Sequence, residues 1–270
     1  MCLAAFALNA HPRFPLVIAA NRDEFFARAA APMAWWSAGG VEVLSGRDLQ
    51  AGGTWFGLTR AGRLALLTNV REPGRQVQGA PSRGDLVVGW LRSAATAPEF
   101  TRTLSSGYNA FNLVMGDLRA GAWHCHSNRN GGHVPLADGI HGLSNAALDT
   151  PWPKTEGLKA ELGRALAASA DLHGLVARLF SALAQQAPAP DTELPDTGVG
   201  LAQERLLSPR FVRIPDPEQP RRARYGTRCS TVLVQGADGS LWVAERSVTA
   251  EGRWLQPVVH QLQPWPEYRP

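Results

Sequence analysis

A cysteine stands second in the chain, at Cys2. Aminopeptidases remove an initiator methionine when the next residue is small, so the mature chain is expected to begin at Cys2. A cysteine at a free N-terminus holds a thiol and an amine on neighbouring carbons. The α-amine, with an ordinary pKa of about 8, can take the thiol proton directly or through water, so nucleophile and base come from one residue. The plainer reading is a cysteine packed at the start of a buried strand, a common place for this residue.

A second polar cluster, Asn21-Arg22-Asp23-Glu24, closes the apolar run Pro15-Leu16-Val17-Ile18-Ala19-Ala20. Two strands joined by the turn residues Asn9 to Phe14 lie side by side, which brings this cluster towards the start of the first strand. Asp23 is then placed to hold a protonated α-amine, and Arg22 to lower the thiol pKa. Read alone, the same four residues also suit a solvated turn with a surface salt bridge.

These groups need a scaffold, and the chain supplies short apolar runs. Residues 2–8 and 15–20 are near-continuously apolar, as in strands covered on both faces. Further strands are expected at Val41–Leu44, Thr54–Thr59, Leu64–Thr68, Phe111–Met115, Ala122–His126, Gly139–Leu143, Cys229–Gln235, Leu241–Glu245 and Val258–Leu262. Leu86, Val87, Trp90 and Leu91 mark one helix face; Leu158, Leu162 and Leu166 mark another. Leu172, Leu175, Val176, Leu179, Phe180 and Leu183 trace a third stripe, which core packing explains. Residues 187–198, rich in Pro, Asp and Thr, read as a loop insertion. One domain of the α+β class is expected, two sheets packed together and covered by helices.

The composition narrows the function. The net charge of +4 is spread along 270 residues, and lysine occurs only at Lys154 and Lys159, so no nucleic-acid footprint is indicated. Three cysteines make no closed disulfide framework, and a reducing cytoplasm is the simpler expectation. No apolar run reaches membrane-spanning length and no signal peptide is read, so no stable membrane insertion is expected. Nothing in the sequence sets the oligomeric state.

Some signals have bland explanations. In a strand, His124 and His126 share one face and Cys125 takes the other, so the three do not converge on one metal ion. The two histidines still suit a metal or an axial position of haem, but hydrogen-bonded or exposed histidines are the default. Arg221-Arg222-Ala223-Arg224 is the densest basic stretch and suits a solvated loop. Trp35-Trp36 and Trp55 fit either a pocket or the core.

Several motifs occur in order along nearly the whole chain: Met-Cys, Ala20-Asn21-Arg22-Asp23-Glu24-Phe25, Gly52-Gly53-Thr54-Trp55-Phe56-Gly57 and Leu67-Thr68-Asn69-Val70-Arg71. Ser82-Arg83-Gly84, Leu143-Ser144-Asn145 and Gly226-Thr227-Arg228-Cys229-Ser230 follow. This set resembles the NRDE domain of the transport and Golgi organisation family. That family in turn resembles the penicillin V acylase and bile salt hydrolase branch of the N-terminal-nucleophile hydrolases.

The resemblance implies a four-layer αββα sandwich with Cys2 as nucleophile and Arg22 and Asp23 flanking it. In this chain those two are adjacent, whereas the acylases separate them. Asn69 and Asn145 match asparagines that contact the oxyanion or the nucleophile, though each is also an ordinary turn residue. Arg228 matches a late arginine that tunes the thiolate or clamps a carboxylate. Asn21, Trp55 and Arg71, inside the same motifs, are expected to contact substrate.

Two functions follow: hydrolysis or acyl transfer on a small N-acyl substrate, needing no cofactor, or non-catalytic carriage of an amphipathic ligand. Haem and acyl-coenzyme A are the ligands implied for the second, since eukaryotic members of the family are associated with haem trafficking and lipid metabolism.

Overall fold

The computed structural model describes residues 3–129 and 131–267. In chain order the elements are β1 (Leu3–Leu8), β2 (Leu16–Phe25), β3 (Ala30–Ala38), β4 (Val41–Asp48), β5 (Phe56–Thr59), β6 (Arg63–Asn69), α1 (Gly84–Arg92) and α2 (Ala97–Arg102). They continue with β7 (Phe111–Asp117), β8 (Ala122–Ser127), β9 (Gly132–Pro135), β10 (Gly139–Leu143), α3 (Pro153–Ala168), α4 (Leu172–Leu183) and α5 (Leu201–Leu207). The last are β11 (Arg213–Pro215), β12 (Ala223–Gln235), β13 (Leu241–Ser247) and β14 (Val258–Leu262).

The strands form two antiparallel sheets. One has the order β10-β1-β2-β12-β13-β14, with β11 paired to β12; the other runs β3 to β9 as a meander. Alternation along each strand sorts the side chains into layers. In β1 and β2, Ala4, Phe6, Leu8, Leu16, Ile18 and Ala20 face the other sheet, meeting Leu44, Phe56, Leu64 and Val114. Leu3, Ala5, Ala7, Val17 and Ala19 face the opposite way, onto Leu158 and Leu162 of α3 and Leu175 and Leu179 of α4. The meander is covered by α1 and α2 through Leu86, Val87, Trp90 and Phe100. The layers are therefore αββα, as the resemblance implies, and burial on both faces explains the unbroken apolar runs of β1 and β2.

The structure adds elements the apolar pattern does not mark. Trp35 and Trp36 lie on β3, which carries Pro32 and a register shift between Ala31 and Ala34, so its alternation is broken. The fifth strand starts at Phe56, two residues later than expected. The Thr54 hydroxyl donates to the carbonyls of Gly46 and Phe56 and holds a turn there instead. Residues 187–198 contain only a short 3-10 turn at Asp191–Glu193 and lead into α5. Among the described residues, no helix is long and apolar enough to cross a membrane.

Candidate functional site

The polar motifs meet where β2 and β6 end, beside the first half of β12. Arg22 pairs with Cys229 across the β2–β12 ladder, Asn21 with Ser230, and Asp23 with Thr227. Because successive side chains on a strand point opposite ways, Arg22 and Asp23 face different layers.

Arg22 turns towards the space between the sheets. Its guanidinium carbon sits 4.0 Å from the centre of the Trp55 ring, a cation–π contact. Its side chain is 4% exposed, and its nearest carboxylates, Glu24 and Asp48, are each 4.0 Å away. Nη1 is buried and has no hydrogen-bond partner among the described residues. Arg22 is thus a buried cation with weak compensation, and it raises the local potential.

Asp23 turns towards the helical side, where Oδ1 accepts a 2.6 Å hydrogen bond from the Thr227 hydroxyl. That hydroxyl also accepts from the Val212 amide at 2.9 Å, so the carboxylate is aimed by a three-member chain. Asn21, expected to contact substrate, lies on the same face and has its side chain enclosed by protein. It is fully buried; its amide donates to the carbonyls of Leu183 and Arg210 and its oxygen accepts from Ser230. Its role is to tie β2 to the chain around α4, because a buried amide must satisfy its own groups.

Arg228 departs from the ladder. The register shifts between Thr227 and Cys229, leaving Arg228 as the extra residue of a bulge. The bulge aims its side chain at the turn after β2, where Nη1 donates to the carbonyls of Phe25 and Arg28 at 2.9 and 2.8 Å. Its guanidinium fastens that turn, and burial lowers its pKa.

Asn69 ends β6 with its side chain at the rim, where its amide has no hydrogen-bond partner among the described residues; its backbone carbonyl accepts from Asn145 Nδ2 at 2.9 Å. Asn145 in turn gives its carbonyl to the Arg71 amide, so the two asparagines are locked together. Arg71 is held by its neighbours: Nη1 bonds Glu204 at 2.5 Å and its guanidinium stacks over Trp152.

Glycines in the motifs permit close approach. A Cβ on Gly53 would lie 2.6 Å from the backbone of Gly84, so the Gly52-Gly53-Thr54 and Ser82-Arg83-Gly84 segments pack backbone to backbone at the rim.

Two clefts open on this cluster, and Asn69 lines both. One, of about 290 Å³, is walled by Arg22, Glu24, Arg28, Asp48, Trp55 and Arg83. Arg28 is paired with Asp48 at 2.7 Å. The other, of about 380 Å³, is walled by Asp23, Phe25, Val70, Asn145, Ile214 and Tyr225, with Val199, Gln203 and Leu207 from the segment around α5. Arg22 lines the first and Asp23 the second, as their opposite directions require.

Cys2, the expected nucleophile, lies outside the described residues. The first strand begins at Leu3, whose partner on β2 is Asn21, one residue before the Arg22–Asp23 pair.

Glu245 gave a signal that sequence reading did not use. It shares the inward face of β13 with Leu241 and Val243, and a carboxyl at such a position stands out. It is 2% exposed and accepts from the Met33 amide at 2.9 Å. Burial raises its pKa and pushes the neighbouring Cys229 thiol well above its ordinary range.

The His124–His126 face is as alternation demands: Cys125 packs between the sheets, and His124 stacks on His133 with ring centres 4.7 Å apart. Among the described residues, no group of three or more histidine, cysteine or acidic side chains is arranged to hold a metal ion.

An αββα sandwich that gathers asparagine, arginine and aspartate at the ends of its inner strands is the class of protein defined here. The chain belongs to the Transport and Golgi organisation 2 family, whose model matches residues 1–250. It is 36% identical to the Bos taurus Transport and Golgi organization protein 2 homolog, covering 94% of this chain and 96% of that one. It is 34% identical to the Mus musculus Transport and Golgi organization 2 homolog over the same shares. Among solved structures, the Caenorhabditis elegans N-acylethanolamine-hydrolyzing acid amidase ortholog aligns with a TM-score of 0.47 at 14% identity, covering 86% of this chain and 92% of that one.

Proposed function

We propose that this protein is an amidohydrolase or acyl transferase that uses the Cys2 thiol on a small N-acyl substrate. The observation that carries the reading is Asn69: its side-chain amide has no hydrogen-bond partner among the described residues, and its backbone carbonyl is held by Asn145 where two clefts meet. Such a donor is available to turn to a developing oxyanion and stabilise it.

In this reading the Cys2 α-amine takes the thiol proton, and the sulfur attacks the amide carbon. The carbonyl electron pair moves to oxygen, where Asn69 and Asn145 receive it. Collapse breaks the C–N bond, the ammonium returns its proton to the leaving amine, and a thioester remains. Water then adds to the thioester carbon and releases the acid and the thiol. Asp23 supports the ammonium, and Arg22, a weakly compensated cation, favours the thiolate. Arg228 acts by holding the 25–28 turn.

The test uses the contrast among the cysteines. Cys125 and Cys229 are buried, and burial pushes the Cys125 thiol up to about 12. One fast alkylation of the native protein, mapped to Cys2 in a chain whose intact mass shows loss of Met1, is expected. If Cys2→Ala hydrolysed N-acyl substrates as fast as the unaltered protein, the reading would fail.

A second reading has its own support. The cleft of about 380 Å³ combines apolar walls at Phe25, Val70 and Ile214 with Arg224 and Lys154. That composition suits carriage of an amphipathic anion such as haem or acyl-coenzyme A, in keeping with relatives named for transport. Among the described residues that line the cleft there is no histidine, cysteine or methionine, and Arg224 and Lys154 would meet the propionates of haem. Saturable binding without turnover would favour this reading over the first.

A further inference from the structure

Between α4 and β11 the chain leaves the sandwich and returns, and it is fastened there by charge. Among residues 185–208, all of them described, Glu204 is the one buried residue. Leu201 and Leu206 of α5 are 50% and 42% exposed. A surface helix is ordinarily held by an apolar stripe; α5 is held by a carboxylate instead.

The segment is closed by its own hydrogen bonds. At its base the Ala189 amide donates to Ser208 Oγ at 3.0 Å. Arg205 pairs with Asp191 across it, and Thr197 donates to Glu204 Oε1 through both its amide and its hydroxyl. At the far end Gly198 and Gly200, with φ of 85° and 83°, turn the chain into α5. The result is a compact loop whose ends meet, in the manner of an Ω-loop. Towards the sandwich, Glu204 Oε2 meets Arg71, and Lys154 Nζ donates to the Leu207 carbonyl at 3.1 Å.

One side of this loop looks into the cleft of about 380 Å³. Val199, Gln203 and Leu207, spaced four apart, line it together with sandwich residues that include Asp23, Asn145 and Arg71. Arg71 therefore belongs to the cleft wall and to the fastening at once. Elements with few buried apolar contacts open at low free energy, which is the property that a lid requires.

We propose that residues 189–208 are a flap that moves as one body, hinged at the Ala189–Ser208 base and latched by the Arg71–Glu204 pair, and that its opening widens the cleft. That the motion admits a ligand rests on the reading in which a substrate meets Asn69 and Asn145 there.

Two measurements on full-length protein carrying Cys2→Ala test the flap, and neither needs turnover. The first is backbone hydrogen exchange read by mass spectrometry. Arg71→Gln, which lies outside the loop, removes a charged hydrogen-bonded partner and is expected to speed exchange about tenfold or more. The speeding should be shared by all peptides of 189–208, the Asp191–Glu193 turn included, while β1 and β2 stay protected over the same interval. Glu204→Gln should do the same, and the double variant should add little, since both act through one pair. Arg71→Lys, which keeps a cation opposite Glu204, should give a smaller change in the same peptides and serves if the other variants fail to fold. Speeding confined to α5, or loop exchange that only keeps pace with β1 and β2, overturns the flap.

The second measurement uses Gln203→Cys as a reporter on the side facing the cleft. With the latch intact, iodoacetamide should label it readily and a bulky maleimide dye should lag. Glu204→Gln should speed the dye by about tenfold or more and iodoacetamide far less. Equal speeding of both reagents, or of neither, overturns the gating. Hydrolysis at the full rate by Cys2→Ala would end the hydrolase reading and leave these results standing, and a loop that fails both measurements leaves the hydrolase reading untouched.

Discussion

The guanidinium of Arg22 lies 4.0 Å from the centre of the Trp55 ring, and Trp55 is itself 5% exposed. This contact joins the Asn21–Glu24 segment of one sheet to the Gly52–Gly57 segment of the other across the inter-sheet layer. Trp55 therefore positions a catalytic candidate as well as filling space. Trp55→Ala is expected to lower stability by about 3–5 kcal/mol, as for other buried aromatic truncations. Trp55→Phe should keep most of that stability and weaken the cation–π contact, which thermal and urea unfolding of the pair would separate.

Glu204 is the fastening of the outer cleft wall. It is 3% exposed, bonds Arg71, and accepts from the amide and hydroxyl of Thr197. Removing one partner of a buried pair strands the other, so Glu204→Ala is expected to cost about 3 kcal/mol. The loop at 187–198 should also become a site of limited proteolysis, while Arg164→Ala, which removes an exposed pair with Glu161, should leave both readouts unchanged.

Thiol reactivity should be sharply divided. Cys229 lies beside the buried Glu245 carboxyl and Cys125 between the sheets, and burial raises both pKa values. In native protein a disulfide reagent should modify neither within the time that it modifies Cys2. In concentrated urea all three thiols should react at similar rates. Rapid native labelling of Cys229 would show the buried carboxyl environment to be wrong.

His141 and Asp149 predict a pH response. Hydrogen bonding to Asp149 raises the His141 pKa. Burial alone would raise Asp149, but hydrogen bonds from His141, the Gly142 amide and Lys159 prevail and hold it at about 2. The Asp149 contribution is therefore present above its ordinary 3.8 and is lost as pH falls towards about 2. The His141 contribution is full below its ordinary 6.5 and is lost as pH rises through the raised value. Asp149→Asn should flatten both limbs of the unfolding free energy plotted against pH.

The stacked histidines act in the opposite sense. Burial lowers the pKa of His124, His126 and His133, and His133 depresses the first two further. The folded state disfavours their protonation, so stability should fall as pH drops below their ordinary 6.5. His133→Gln should reduce that slope; an unchanged slope in unfolding measurements would show that the cluster does not titrate with folding.

The apolar periodicity determined the layers. Unbroken runs at 3–8 and 16–20 required burial on both faces, and the stripes of α1, α3 and α4 required sheets to cover. Alternation alone separated Cys125 from His124 and His126, and it contained the statement that Arg22 and Asp23 point apart. Residue types and motif order marked the site region.

Only the tertiary structure decided which of those residues are available. Asn21 and Asn69 are both motif asparagines at strand ends. One is enclosed by Leu183, Arg210 and Ser230, and the other faces two clefts. Arg71 is occupied because Glu204, far along the chain, reaches it, and Arg228 is turned aside by a one-residue bulge. Such outcomes depend on contacts between distant segments and on a local slip of register. Strand period and residue identity are the same whether a side chain is satisfied internally or left facing a ligand.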